Sequence, residues 1–292
     1  MKLLRNTVQF QGVSALLVGA LAAAIAGCGP PQSAGDDDDT TVDAGLAKDS
    51  AVNGPDSTFV PPPVIIYAHS ATDLYLVDRT TFAVTTVGPF MTDAANDITD
   101  IAVTPAGLLY GISRTNLYSI DRSTGRATLV APLSGSTSNV GLTFLRDGSL
   151  LATDKSGGVR SINPSTGQVT EIGNFGNGLA TAGDLVAVAD GTMYAISDKG
   201  PCPTPGANCV GTDASASNWL LTVNTTTGIG TPIGMIGFGR VFGAAYANGK
   251  VYAFTEDGKI IEINRASGQG TMVKTFTGAF WGAGVTSLVP ID

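Results

Sequence analysis

The side chains of this chain that are equipped for chemistry are few. Asp100 and Asp184 hold matching positions at the head of two similar runs, DIAVTPAGLLYGIS and DLVAVADGTMYAIS. Two carboxylates facing one cavity can divide acid and base work between them, which makes this pair the best catalytic candidate, although no catalytic motif surrounds either residue. His69 is the only histidine, so a His-dependent triad or a zinc site with several imidazoles is disfavoured. It follows an apolar run and reads as a hydrogen-bonded structural residue in an inner strand. The three glutamates, Glu171, Glu256 and Glu262, fall in outer strands or a loop. Asp147-Gly148, Asp190-Gly191 and Asp257-Gly258 carry the acid-glycine pair of calcium loops, but each stands where a hairpin turn is needed. No metal or cofactor is expected, and the residues argue against an enzyme more than for one.

The elements that must position these residues are repeated. NLYSIDRSTGRATLVAPL, from Asn116, returns as DLYLVDRTTFAVTTVGPF from Asp73, GVRSINPSTGQVTEIGNF from Gly158, WLLTVNTTTGIGTPIGMI from Trp219 and KIIEINRASGQGTMVKTF from Lys259. The central acid or amide (Asp78, Asp121, Asn163, Asn224, Asn264) recurs at steps of 43, 42, 61 and 40 residues, the period of a four-stranded propeller blade. That side chain can close a turn on its own backbone, and Gly125, Gly167, Gly228 and Gly268 can take the positive φ the turn needs. Phe82 replaces glycine in the first copy, so that hairpin is expected to be built differently. Between these copies lies a second hairpin, turning at Ala-Gly, Asp-Gly or Asn-Gly. Two hairpins per period make one blade.

The fifth second-type hairpin is split between the chain ends, as VIIYAHS from Val64 and GAGVTSLV from Gly282. Joining the halves ties the ring shut and removes an open strand edge. The fold expected is all-β: a five-bladed β-propeller over residues 64–292, closed by pairing a C-terminal strand with three N-terminal ones.

The N-terminus reads differently. Residues 1–27 carry Lys2 and Arg5, then an apolar run from Val13 to Ala26 that is short for a membrane span but suits a signal peptide. The sequence Ile25-Ala26-Gly27-Cys28 resembles the bacterial lipobox, which implies cleavage before Cys28 and its acylation. Several acyl chains give stable membrane anchoring. Gly29, in place of the aspartate that favours inner-membrane retention in enteric lipoproteins, implies the outer membrane. Residues 28–63, with Asp36 to Asp39 and Pro61 to Pro63, read as a disordered tether of roughly 30–35 Å root-mean-square span.

The formal charge of −8, moving to −10 once Lys2 and Arg5 are removed, argues against nucleic acid as a partner. The long insertion DKGPCPTPGANCVGTDASAS holds Cys202 and Cys209; in an exported, oxidising setting these are expected to form a disulfide.

In a monomeric propeller of this kind the variable loops share one face. They hold Phe90, Phe175, Phe238, Arg240, Phe280 and Trp281, which suit sugar stacking or a peptide pocket. Phe90 and Phe175 share a repeat position with Leu133 and Ile236, so packing between blades competes with binding there. The same loops carry more acids than bases, an acidic rim that suits neutral glycans, cationic peptides or cations.

The repeat resembles exported bacterial propellers built from LY-x-ID-x-x-TG units, loosely akin to NHL and YVTN-type repeats, and at the level of architecture five-bladed glycosidases. The resemblance implies the fold and transfers no catalytic residue. The function expected is a lipid-anchored binding module of the cell envelope that recognises a glycan or an envelope protein. A structural scaffold, or a carboxylate-dependent glycoside hydrolase or lyase, stands as the alternative.

Overall fold

A computed structural model describes residues 64–92, 97–136, 138–202 and 216–288. The expected signal peptide, Cys28, the aspartate run, the rest of the expected tether and Cys209 lie outside the described residues. The described chain is all strand and turn. Five four-stranded antiparallel sheets form five blades.

The first blade holds β1 (Ile66–His69), β2 (Asp73–Val77) and β3 (Val84–Pro89). The second runs β4 (Asp100–Val103), β5 (Leu109–Ile112), β6 (Asn116–Ile120) and β7 (Ala127–Pro132). The third has β8 (Asn139–Phe144), β9 (Leu150–Asp154), β10 (Gly158–Ile162) and β11 (Val169–Asn174). The fourth has β12 (Thr181–Ala187), β13 (Met193–Ser197), β14 (Trp219–Val223) and β15 (Gly230–Met235). The fifth has β16 (Val241–Ala247), β17 (Lys250–Thr255), β18 (Lys259–Ile263) and β19 (Gly270–Thr275). A last strand, β20 (Gly282–Gly284), returns to blade one and pairs with β1, Gly282 opposite His69 and Gly284 opposite Tyr67. The ring is therefore closed as the split hairpin predicts. His69 lies on the second strand of its blade rather than the innermost, because β20 takes the inner place.

The turn between third and fourth strands is the same in all five blades. The oxygen of Asp78, Asp121, Asn163, Asn224 or Asn264 accepts the backbone N–H groups two and three residues on. Sequence alone predicts a different hairpin at Phe82, and this is corrected: Phe82 N–H donates to the Asp78 carbonyl at 2.8 Å, as Gly125 does to Asp121. Phe82 adopts φ 54°, a left-handed conformation that costs a non-glycine residue on the order of 1 kcal/mol. Its ring packs on Tyr252 at 5.0 Å between centroids.

The reason glycine is not needed at this one turn lies in its neighbour. Gly125, Gly228 and Gly268 press against Gly88, Gly173 and Gly234 of the preceding blade, with no room for a Cβ. The corresponding residue of blade five is Lys274. At the seam both halves of that close approach are replaced, and a side chain fills the gap.

The core lies between blades. Facing sheets bury Leu74, Phe90, Ile98 and Ile101 at one junction and Leu151, Phe175, Leu185 and Leu221 at another. The junction nearest the seam is aromatic: Phe280 stacks on Phe276 at 5.3 Å and meets Phe254 edge-on at 5.3 Å.

Candidate functional site

The inner strands β4, β8, β12, β16 and β20 neighbour one another in that order around the axis, and β20 meets β4 again. Each is the inner edge strand of its sheet, so backbone N–H groups without a strand partner there need other acceptors. At one equivalent position of the register these strands carry Asp100, Gly141, Asp184, Gly243 and Gly282. Two carboxylates thus share a ring with three glycines, which leave them space.

Those carboxylates are saturated by backbone. Asp100 accepts Ile101 N–H at 2.9 Å and Leu142 N–H at 2.6 Å. Asp184 accepts Leu185 N–H at 2.6 Å, Ala244 N–H at 2.6 Å and Ala283 N–H at 3.1 Å. The five donors are the same residue of the repeat, one from every blade. Asp100 bridges blades two and three; Asp184 bridges blades four, five and one. Both side chains are fully buried.

Burial raises both carboxyls well above the usual range, and the charge of Asp184, together with a hydrogen bond that protonated Asp100 donates to it, raises Asp100 further. Like charges this close share a proton rather than both ionise. His69 completes the group. Its Nδ1 lies 2.7 Å from the Ser70 carbonyl, which can only accept, so Nδ1 carries the hydrogen and Nε2 the lone pair. Nε2 faces Asp100 Oδ1 at 3.9 Å, and desolvation lowers the imidazole to about 4. This is a neutral ring beside a carboxyl, not an ion pair. Among the described residues no three such side chains are arranged to hold a metal ion.

One residue above this layer the axis opens. Thr99, Val140, Gly183, Phe242 and Trp281 directly precede the five ring positions, and all five line a cavity of about 180 Å³. Arg114, Lys155 and Glu256, from loops that follow the second strands, form part of its wall. The cavity therefore takes a residue from every blade and sits at the mouth of the axis, on the face of the variable loops.

The charges at this mouth are not equivalent. Glu256 is ion-paired with Arg240, whose backbone holds φ 55°. Asp257 pairs with Lys259, and Asp154 with Arg160 at 2.5 Å. Asp198 is raised by burial, accepts from Asn218 Nδ2 at 3.2 Å and feels the charges of Lys155 and Lys199. Arg114 and Lys155 are exposed and form no ion pair among the described residues.

Of the aromatics expected on the binding face, the structure brings Trp281 to the cavity, 37% exposed. Phe90, Phe175 and Phe280 are fully buried between blades; they offer a ligand no surface. Phe238, in the loop between β15 and β16, is partly buried against the core cluster that spans blades four, five and one. Phe242 and Val140 were not singled out from sequence. Their signal was position: each stands one residue before the small residue that an inner strand contributes to the axial ring. Cys202 N–H donates to the Asn177 carbonyl at 2.9 Å, while Cys209 lies outside the described residues.

No protein-family model matches the chain, and comparison with the curated proteins found no match. Solved structures resemble it distantly. A protein of unknown function from Bacteroides caccae is 13% identical with a TM-score of 0.44, covering 74% of this chain and 73% of that one. Another, from Bacteroides thetaiotaomicron, is 16% identical with a TM-score of 0.44, covering 70% and 55%. Virginiamycin B lyase from Staphylococcus aureus is 14% identical with a TM-score of 0.40, covering 70% and 64%. At this similarity the likenesses carry no argument about activity.

Proposed function

We propose that this protein is a lipid-anchored binding module of the cell envelope that recognises a glycan or a protein through the variable-loop face of its propeller. The observation that supports this reading is the axial mouth, where every blade contributes at least one residue to a cavity lined by half-exposed Trp281 and by the exposed cations Arg114 and Lys155. Concave sites with an aromatic wall and a few convergent polar groups are the usual form of a ligand pocket.

A hydrolase or lyase built on Asp100 and Asp184 finds no comparable support. Each carboxylate is buried and already accepts backbone donors, an arrangement that fastens blades. Docking of envelope subunits on the same face remains the second reading, because a rigid propeller presents its loops as a fixed surface.

A glycan array probed with the full chain and with Trp281→Ala tests the site. Binding that the variant loses supports recognition at the mouth; binding that it keeps moves the site elsewhere. The anchor is tested by fatty-acid labelling of cells that express the wild type or Cys28→Ser, with fractionation to locate the protein in the outer or inner membrane. For Cys202 and Cys209, a mass of the unreduced protein two hydrogens below the reduced one supports the disulfide, and two free thiols overturn it.

A further inference from the structure

The mouth cavity has a polarity opposite to that of the whole chain. The protein carries a formal charge of −8, and its loop face carries more acids than bases. Yet of the acids nearest the axis, Asp100 and Asp184 are sealed below the cavity floor and Glu256 is occupied by Arg240. Lining the opening are Arg114 from blade two and Lys155 from blade three, on homologous loops of adjacent blades, with Asp198 near enough to Lys155 to feel its charge. The same cavity is lined by Trp281, which leads into β20 of blade one, and by Phe242 of the neighbouring blade five.

We propose that the mouth binds a carboxylate-bearing sugar, a uronic-acid type residue of a glycan, with its acid group between Arg114 and Lys155 and its ring face on Trp281. This rests on the reading of the mouth as the ligand site. A guanidinium fork suits a carboxylate, and an indole face suits the apolar face of a pyranose. The cavity, at about 180 Å³, is of a size for one ring rather than for an extended chain. Glu256 sets the upper limit on charge: even paired with Arg240, it keeps a carboxylate on the wall, which disfavours a dianionic phosphate and can accept sugar hydroxyls. A peptide ending in a free carboxylate satisfies Arg114 and Lys155 equally, but gives Trp281 no flat ring to cover.

The test is titration of the full chain by calorimetry and Trp fluorescence with three probes. They are a uronate trisaccharide, the neutral hexose trisaccharide of the same linkage, and a tripeptide with a free C-terminus. The proposal expects the uronate to bind about tenfold or more tightly than the neutral sugar, an advantage that shrinks as salt rises. Arg114→Gln with Lys155→Gln should erase that advantage while thermal unfolding stays unchanged, because both side chains are exposed. Equal binding of both sugars overturns the acidic specificity and leaves sugar recognition standing. Binding of the peptide alone, lost in the double variant, overturns the sugar assignment. No binding of any probe, with Trp281 emission unmoved, overturns the mouth as a small-ligand site.

Discussion

Nε2 of His69 faces Oδ1 of Asp100 at 3.9 Å, across the space that a side chain at Gly282 would fill. Three strands meet at this point: β1 supplies the imidazole, β4 the carboxyl and β20 the missing side chain. The ring is closed where its only histidine is buried.

This burial gives stability a dependence on pH. An unfolded histidine takes a proton near 6.5, whereas folded His69 resists it down to about 4. The folded state therefore loses stability as pH falls from 6.5 toward 4, by roughly 3 kcal/mol if the shift is fully expressed. The Asp100–Asp184 pair acts in the opposite sense. Its carboxyls are raised in the fold, so their contribution is fully present below the ordinary carboxylate value and declines as pH rises. Stability measured by urea unfolding from pH 4 to 7 should therefore decline more steeply with rising pH in His69→Gln than in the wild type, because the variant lacks the opposing His69 contribution. The same slope in wild type and variant would disprove this assignment.

The axial carboxylates should differ in cost. Asp184→Ala strands three backbone donors from three blades, and Asp100→Ala strands two. We expect losses on the order of 2–4 kcal/mol, larger for Asp184, read as shifts of the urea midpoint. A stable Asp184→Ala protein would mean that water replaces the carboxylate without cost.

Gly282→Ala should be destabilising by on the order of 1–3 kcal/mol, because its Cβ lands on His69 Nε2 and Asp100 Oδ1. Truncating His69 to alanine in the same chain opens part of that space. A double-mutant cycle should then give a favourable coupling; strict additivity would place the strain elsewhere.

At the seam, Phe82 sets two effects against each other. Glycine there relieves the left-handed backbone but loses the ring on Tyr252, whereas alanine loses the ring and keeps the strain. The expected order of stability is Phe82, then Phe82→Gly, then Phe82→Ala. A glycine variant more stable than wild type would show that the aromatic contact contributes little.

The repeat was legible because its turns are written in side chains. An acid or amide followed by Ser/Thr and glycine spells the same hairpin five times, and only Phe82 misled, since backbone strain and a remote tyrosine are not visible in a local pattern. The axial pair was legible as matched positions but not as a clasp. Its partners are main-chain N–H groups of Leu142, Ala244 and Ala283, which any residue but proline supplies. For the aromatic face, Phe90 and Phe175 gave themselves away by sharing a position with Leu133 and Ile236. Phe280 had no such companion, and its burial depends on the packing of Phe254 and Phe276. Arg114 and Lys155 could be counted from sequence, but which acids neutralise their neighbours could not.

In an open array of repeats the terminal unit can fray while the rest persists. Here the first blade is assembled from both chain ends, and Asp184 holds it to blades four and five through Ala283 and Ala244. No blade can then open alone without exposing the axis of the others. Slow amide exchange should accordingly be lost from the inner strands of all five blades together, as a single cooperative event, rather than spreading from one edge.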